Sequence, residues 1–125
     1  MTTIPALIER YIDAYNAMDI GAMLAMMPEN IHFRSIVDGA TYAQAHGKLE
    51  FSQMATFAIS AFKWRRQVIT HAITVADHTL IEVDYFGEPA MDLPNGWKAG
   101  QEIAFKGRSS FRISGQHITQ IIDQS

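Results

Sequence analysis

The spacing of apolar and polar positions changes period midway along the chain. Near the start it is helical: Leu7, Ile8, Tyr11, Ile12 and Tyr15 share a stripe, with Glu9, Arg10 and Asp13 elsewhere. Thr3 reads as the cap of this helix and Pro5 as a residue of its tolerant first turn. Asp19 reads as a second cap, opening a short helix with Ile20, Met23, Leu24 and Met27 on one side, and Pro28 ends it. The stretch "NIHFRSI" (30–36) alternates as a strand does, and Asp38-Gly39 marks a turn. After His46-Gly47, residues 48–62 place Phe51, Met54, Ala55, Ala58 and Phe62 on one helical stripe.

From Trp64 onward the period is that of strands. "WRRQVITHAITV" runs to a turn at Ala76-Asp77-His78, and "TLIEVDYFGEPAM" follows. Pro94-Asn95-Gly96 is a strong turn, "EIAFKGRSSFRI" leads to another at Ser114-Gly115-Gln116, and "HITQIIDQ" comes last. The predicted order is helix, helix, strand, helix, then four long strands. Such an order implies an α+β fold with the helices on one face of a mostly antiparallel sheet, in a single domain covering residues 1–125.

In "LIEVDYFG" (80–87), Ile81, Val83 and Tyr85 share one face, while Leu80 and Phe86 sit with the acids Glu82 and Asp84 on the other. An antiparallel sheet normally shows one solvated face. Two half-apolar faces imply helices on one side and a second copy of the chain on the other, so a homodimer through the sheet is expected.

Composition adds mostly exclusions. At 125 residues, with 48% apolar and 18% charged positions, the chain has the makings of a packed domain and not of a disordered one. A net charge of −3 offers no general attraction for nucleic acid or anionic lipid. There is no cysteine, hence no disulfide and no thiol nucleophile. "MTTIPALIERY" has neither a basic n-region nor a continuous apolar h-region, and no long apolar run follows, so the expected location is cytoplasmic.

In this order the segments resemble the nuclear transport factor 2-like superfamily, also called SnoaL-like. "IERYIDAYNAMDIGAMLAMM" looks like its first two helices, "NIHFRS" like its first strand and "AHGKLEF" like the start of its third helix. The C-terminal half resembles uncharacterised SnoaL-like proteins in its Pro-Asn-Gly hairpin and its ending. The resemblance implies a cone-shaped α+β fold whose curved sheet admits a small, usually apolar ligand. The superfamily includes steroid isomerase, scytalone dehydratase, limonene-epoxide hydrolase and polyketide cyclases, as well as proteins with no known activity, so it implies a cavity before it implies a reaction.

Against the steroid isomerase pattern, Tyr11 matches the expected tyrosine, but Ser35 stands where the first-strand acid belongs, and a serine does not shuttle protons as a carboxylate does. Against the limonene-epoxide hydrolase pattern, Asp84 and Asp123 match the two acids. Glu82 replaces the intervening arginine, and Phe33 and Ser35 replace the residues that hold water. The resemblance therefore implies Asp123 as base and Asp84 as acid or electrostatic partner, in a pocket of Tyr11, Tyr15, Phe33, Ser35, Met54, Phe86 and Phe105. Two carboxylates sharing an apolar cavity would raise the pKa of one of them and split the roles of acid and base.

The implied function is cofactor-independent acid/base chemistry on a small hydrophobic substrate, of hydrolase, isomerase, cyclase or dehydratase type. The alternative is a non-catalytic ligand-binding or dimerisation domain, with the acids on a solvated strand face and the tyrosines in the core. Met23, Met26 and Met27 suit an irregular core or an adaptable pocket wall. His32, His46, His71, His78 and His117 show no metal-binding spacing, and His32 is expected to point away from the cone. "GRSSF" is no nucleophile elbow, and "KWRR" (63–66) reads as cations at the end of a helix. The hairpin over 91–100, with Trp97 exposed, reads as a lid or a dimer element.

Overall fold

The computed structural model describes residues 3–125. Among the described residues, three helices, α1 (Ala6–Asn16), α2 (Ile20–Ala25) and α3 (Lys48–Ser60), accompany six strands: β1 (His32–Val37), β2 (Ala40–His46), β3 (Phe62–Val75), β4 (His78–Pro89), β5 (Ile103–Ser114) and β6 (His117–Gln124). The strands form one sheet in the order β2-β1-β6-β5-β4-β3. Every pairing is antiparallel except β1 with β6, which is parallel. That pairing joins the first strand to the last and sets Ser35 opposite Asp123.

The helices start and stop for local reasons. Asp19 caps α2 as expected, its Oδ1 accepting from the amide of Ala22 at 3.0 Å. Thr3 does not cap α1; Pro5 holds that position, and its carbonyl accepts from Ile8 and Glu9. Gly47 starts α3 with φ of +92°, and a Cβ there would lie 3.2 Å from the carbonyl oxygen of Glu29. The backbone needs a residue without a side chain at this point. Glu50, in the first turn of α3, reaches back to accept from the amide of His46 at 2.9 Å.

The expected stripe of α3 is present through Phe51, Met54, Ala55 and Ala58, but Phe62 already belongs to β3. One strand was not expected at all. Segment "ATYAQAH" forms β2, at the sheet's edge, where only Ala45 is buried.

One face of the sheet carries the core. Ile81 and Val83 of β4, Phe111 of β5, and Ile118 and Ile121 of β6 pack with Leu7, Ile8, Tyr11 and Ile12 of α1 and Phe51 and Ala55 of α3. Bulges at Ser35/Ile36, Phe62/Trp64, Ile69/His71 and Arg112/Ile113 add local twist, as a curved sheet requires. Asn16, at the end of α1, ties the helix to β3: its Nδ2 donates to the carbonyl of Gln67 at 3.0 Å and its Oδ1 accepts from the same residue's amide at 2.8 Å.

Candidate functional site

Alternation along β6 turns Asp123 toward the helices, on the side of the buried Ile121. Its neighbours across the strands are Ser35 of β1 and Ser109 of β5. Ser109 Oγ donates to Asp123 Oδ1 at 2.6 Å. Among the described residues, Oδ2 meets no hydrogen-bond donor. One carboxylate oxygen is thus anchored and the other is left to the cavity.

Two adjoining cavities meet at this group. The first, about 180 Å³, lies under α1 and α3, with Tyr11, Phe33, Phe51, Met54 and Arg65 in its wall. The second, about 190 Å³, opens toward the hairpin, with Phe62, Tyr85, Trp97, Phe105 and Ser109 in its wall. Tyr15, Ser35 and Asp123 line both. Either space suits a small molecule held by aromatic walls and a few polar groups.

Aromatic contacts hold these walls. The rings of Tyr85 and Phe105 stack at 4.7 Å, those of Trp97 and Phe105 at 5.5 Å, and Phe33 meets Phe51 edge-on at 5.7 Å. The hydroxyls of Tyr15 and Tyr85 are hydrogen-bonded to each other at 2.8 Å. Trp97 is half-buried, not exposed as expected, because it packs on Phe62 and Phe105.

Burial sets the titration of the site. It pushes the Asp123 carboxyl up to about 6, opposed by the Ser109 hydrogen bond and the positive charge of Arg65. Burial also raises Tyr11, with the negative charge of Asp123 adding to it. Tyr15 and Tyr85 are raised as well, burial again leading. All three phenols therefore stay neutral near pH 7, with one of the two protons of Tyr15 and Tyr85 already given to their mutual hydrogen bond.

Of the expected site residues, the structure brings Asp123, Tyr11, Tyr15, Phe33, Ser35, Met54 and Phe105 to these two cavities. It does not bring Asp84 or Phe86. Both point out of the opposite face of the sheet, where Asp84 Oδ1 accepts from Lys106 Nζ at 2.9 Å and Phe86 is exposed. The reason is parity: Ile81, Val83 and Tyr85 take the inward positions of β4, which turns Leu80, Glu82, Asp84 and Phe86 outward. The expected pair of carboxylates in one cavity reduces to Asp123 alone. His32 also lies on the outer face, its ring stacked on His46 at 4.7 Å. Among the described residues, no three His, Asp or Glu side chains converge as a metal site would need.

Arg65 is the site residue that sequence reasoning missed. "KWRR" is not the end of a helix but the first part of β3, and there Arg65 turns inward with Gln67 and Ile69. It is only 4% exposed, and its Cζ lies 3.7 Å from the centroid of the Tyr15 ring. The available signal was its spacing of two and four from Gln67 and Ile69, half-buried positions of the same strand.

The sequence matches the SnoaL-like domain family over residues 8–121, and the chain belongs to that family. Solved structures share the fold at low identity. A hypothetical protein with a ketosteroid isomerase-like fold from Catenulispora acidiphila DSM 44928, in complex with trimethylamine, superposes with a TM-score of 0.79 at 19% identity, covering 97% of this chain and 85% of that one. A candidate SnoaL-like polyketide cyclase from Jannaschia sp. CCS1 gives 0.77 at 13% identity, covering 98% and 89%. A candidate polyketide cyclase from Xanthomonas campestris pv. campestris gives 0.73 at 20%, covering 95% and 87%. No curated protein matches the chain at a significant level. Among the described residues, no helix is long and apolar enough to cross a membrane.

Proposed function

We propose that this SnoaL-like protein is a small-molecule enzyme in which Asp123 is the general acid/base, acting on a small hydrophobic substrate in the paired cavities. The observation that carries this reading is the Asp123 carboxyl, anchored through one oxygen by Ser109 and raised to about 6 by burial. A base with a pKa just below the working pH is mostly ionised, yet far stronger than an exposed carboxylate. Proton transfer by such a group calls for no cofactor. Isomerisation, cyclisation, dehydration and hydrolysis all offer a step of this kind, and structural neighbours described as candidate polyketide cyclases agree with cyclisation.

The test is a screen of hydrophobic ketones, enones, lactones and epoxides by proton NMR in deuterated water, reading both turnover and exchange at acidic carbons. Wild-type protein should accelerate at least one compound, and Asp123→Asn should lose roughly 10²–10⁴ of that rate while keeping its fold. Equal rates in the two proteins would refute the role of Asp123. Ligand binding without turnover would support a binding domain instead.

We also infer that the outer face of the sheet pairs with a second copy of the chain. Ile73, Val75 and Leu80 stand 60%, 70% and 55% exposed on neighbouring strands, with Val68 and Phe86 on the same face. Apolar side chains gathered on one sheet face are the mark of an interface.

A further inference from the structure

A guanidinium buried without a partner asks what it is for. Arg65 is 4% exposed, and its Nε and Nη2 are sealed from solvent with no hydrogen-bond acceptor among the described residues. None of the five ion pairs among the described residues includes it. Asp123 bears on it through its charge, without an ion pair between the two among the described residues. The face of Tyr15 gives it a cation–π partner, which offsets part of the cost of burying a charge but satisfies no N–H. Buried polar groups are otherwise almost always paired, so an orphan in a cavity wall points to an acceptor that arrives with a ligand.

The surroundings narrow that ligand. Arg65 shares its cavity with Tyr11, Tyr15, Phe33 and Phe51, a wall of ring faces and edges suited to a flat apolar body. Planar, bidentate recognition of a carboxylate is what a guanidinium does best. We propose that Arg65 is the anchor for a small aromatic acid, taking its anionic oxygen, carboxylate or acidic enol, while the ring body lies against the aromatic wall. The proposal rests on the cavity reading given above and adds the substrate class to it.

The charges around that anion come from every element packed on the cavity. From α1 come Tyr11 and Tyr15, from β1 Ser35, from β2 Tyr42, from β3 Arg65, from β4 Tyr85, from β5 Arg108 and Ser109 and from β6 Asp123; α3 contributes Phe51, Met54, Ala55 and Ala58, which carry no charge. The phenols of Tyr11, Tyr15 and Tyr85 remain neutral, and Asp123 is the carboxyl of the cavity that changes charge between pH 5 and 8. An anion on Arg65 disfavours ionised Asp123, so the acid should bind more tightly at pH 5.5 than at pH 8.

The experiment is calorimetric titration of the full chain with two matched pairs: 2-naphthoate against 2-naphthamide, and 2-hydroxy-1,4-naphthoquinone against its methyl ether. Wild type should prefer at least one acid over its neutral partner by tenfold or more, and the pair that shows it identifies the oxygen as carboxylate or enol. Arg65→Met should abolish the preference, and Arg65→Lys, which keeps the charge but not the fork, should reduce it. Asp123→Asn should keep or strengthen acid binding and flatten its pH dependence.

No preference in wild type for either acid overturns the proposal, as does a preference that survives in Arg65→Met. Should Arg65→Met fail to fold, an undiminished preference in Arg65→Lys overturns it equally. Acid binding by a protein in which Asp123→Asn leaves turnover unchanged would sink the catalytic reading and spare this one. Loss of turnover in Asp123→Asn with no acid preference in wild type would do the reverse.

Discussion

Ser109 and Asp123 face each other across β5 and β6, and their side chains are joined by a 2.6 Å hydrogen bond at the point where two cavities meet. The bond does two things at once. It fixes the carboxylate's rotamer, and it stabilises the charged form against burial, which would otherwise push the pKa higher still.

That balance predicts a pH-dependent stability. The folded-state pKa of Asp123, about 6, lies above the ordinary aspartate value of 3.8. Below the lower value the group is protonated in both folded and unfolded chains and costs nothing. As pH rises through the window the unfolded chain ionises first, so stability is lost, and the full cost is present above about 6. Asp123→Asn should therefore gain stability relative to wild type between pH 4 and pH 8, by roughly 2 kcal/mol. The value of about 6 already includes the opposing charge of Arg65, so its loss in the variant needs no separate allowance. Urea unfolding of both proteins at the two pH values measures the difference.

Asp84 is the control. Its pair with Lys106 is exposed, the side chains retaining 36% and 82% of their surface. Exposed pairs contribute about 0–1 kcal/mol. Asp84→Asn should leave stability within about 1 kcal/mol of wild type and leave ligand binding in the cavities unchanged, by urea unfolding and calorimetry.

Asn16 holds α1 against the edge strand through two hydrogen bonds to Gln67, two residues from Arg65. Asn16→Ala should cost on the order of 1–3 kcal/mol, since both backbone groups lose their partner. Hydrogen exchange should show the Gln67 amide opening faster in the variant, with β5 and β6 unaffected.

The outer-face reading predicts that a charge at Leu80 disperses the dimer. Leu80 lies opposite Ile73 in the β3–β4 register, in the middle of the exposed apolar group. Leu80→Glu should sediment as a monomer at concentrations where wild type is dimeric, with an unchanged circular dichroism spectrum. A monomeric wild type would remove the surface from consideration.

Much of this arrangement was legible in the sequence where side-chain period and burial coincide. The stripe of α1 and the alternation of β4 follow from residues that are buried for the reason they are apolar, and the cap at Asp19 from a short side-chain acceptor placed just before a helical stripe. Strand β2 was not, because an edge strand with one buried residue leaves no alternation to read. The pocket role of Asp84 came from family resemblance, while the parity of Ile81, Val83 and Tyr85 pointed outward; local periodicity was the better guide. Arg65 was hidden for the opposite reason. A buried arginine looks, in sequence, like any surface cation, and only the placement of β3 turns it inward.

The most direct measurement is a carbon-13 NMR titration of aspartate side-chain carboxyls in wild type and Asp123→Asn. The resonance missing from the variant should titrate with a midpoint near 6 in wild type and higher still in Ser109→Ala. A midpoint near the ordinary 3.8, unmoved by the loss of Ser109, would mean that Asp123 sits in water, and would contradict the account at its root.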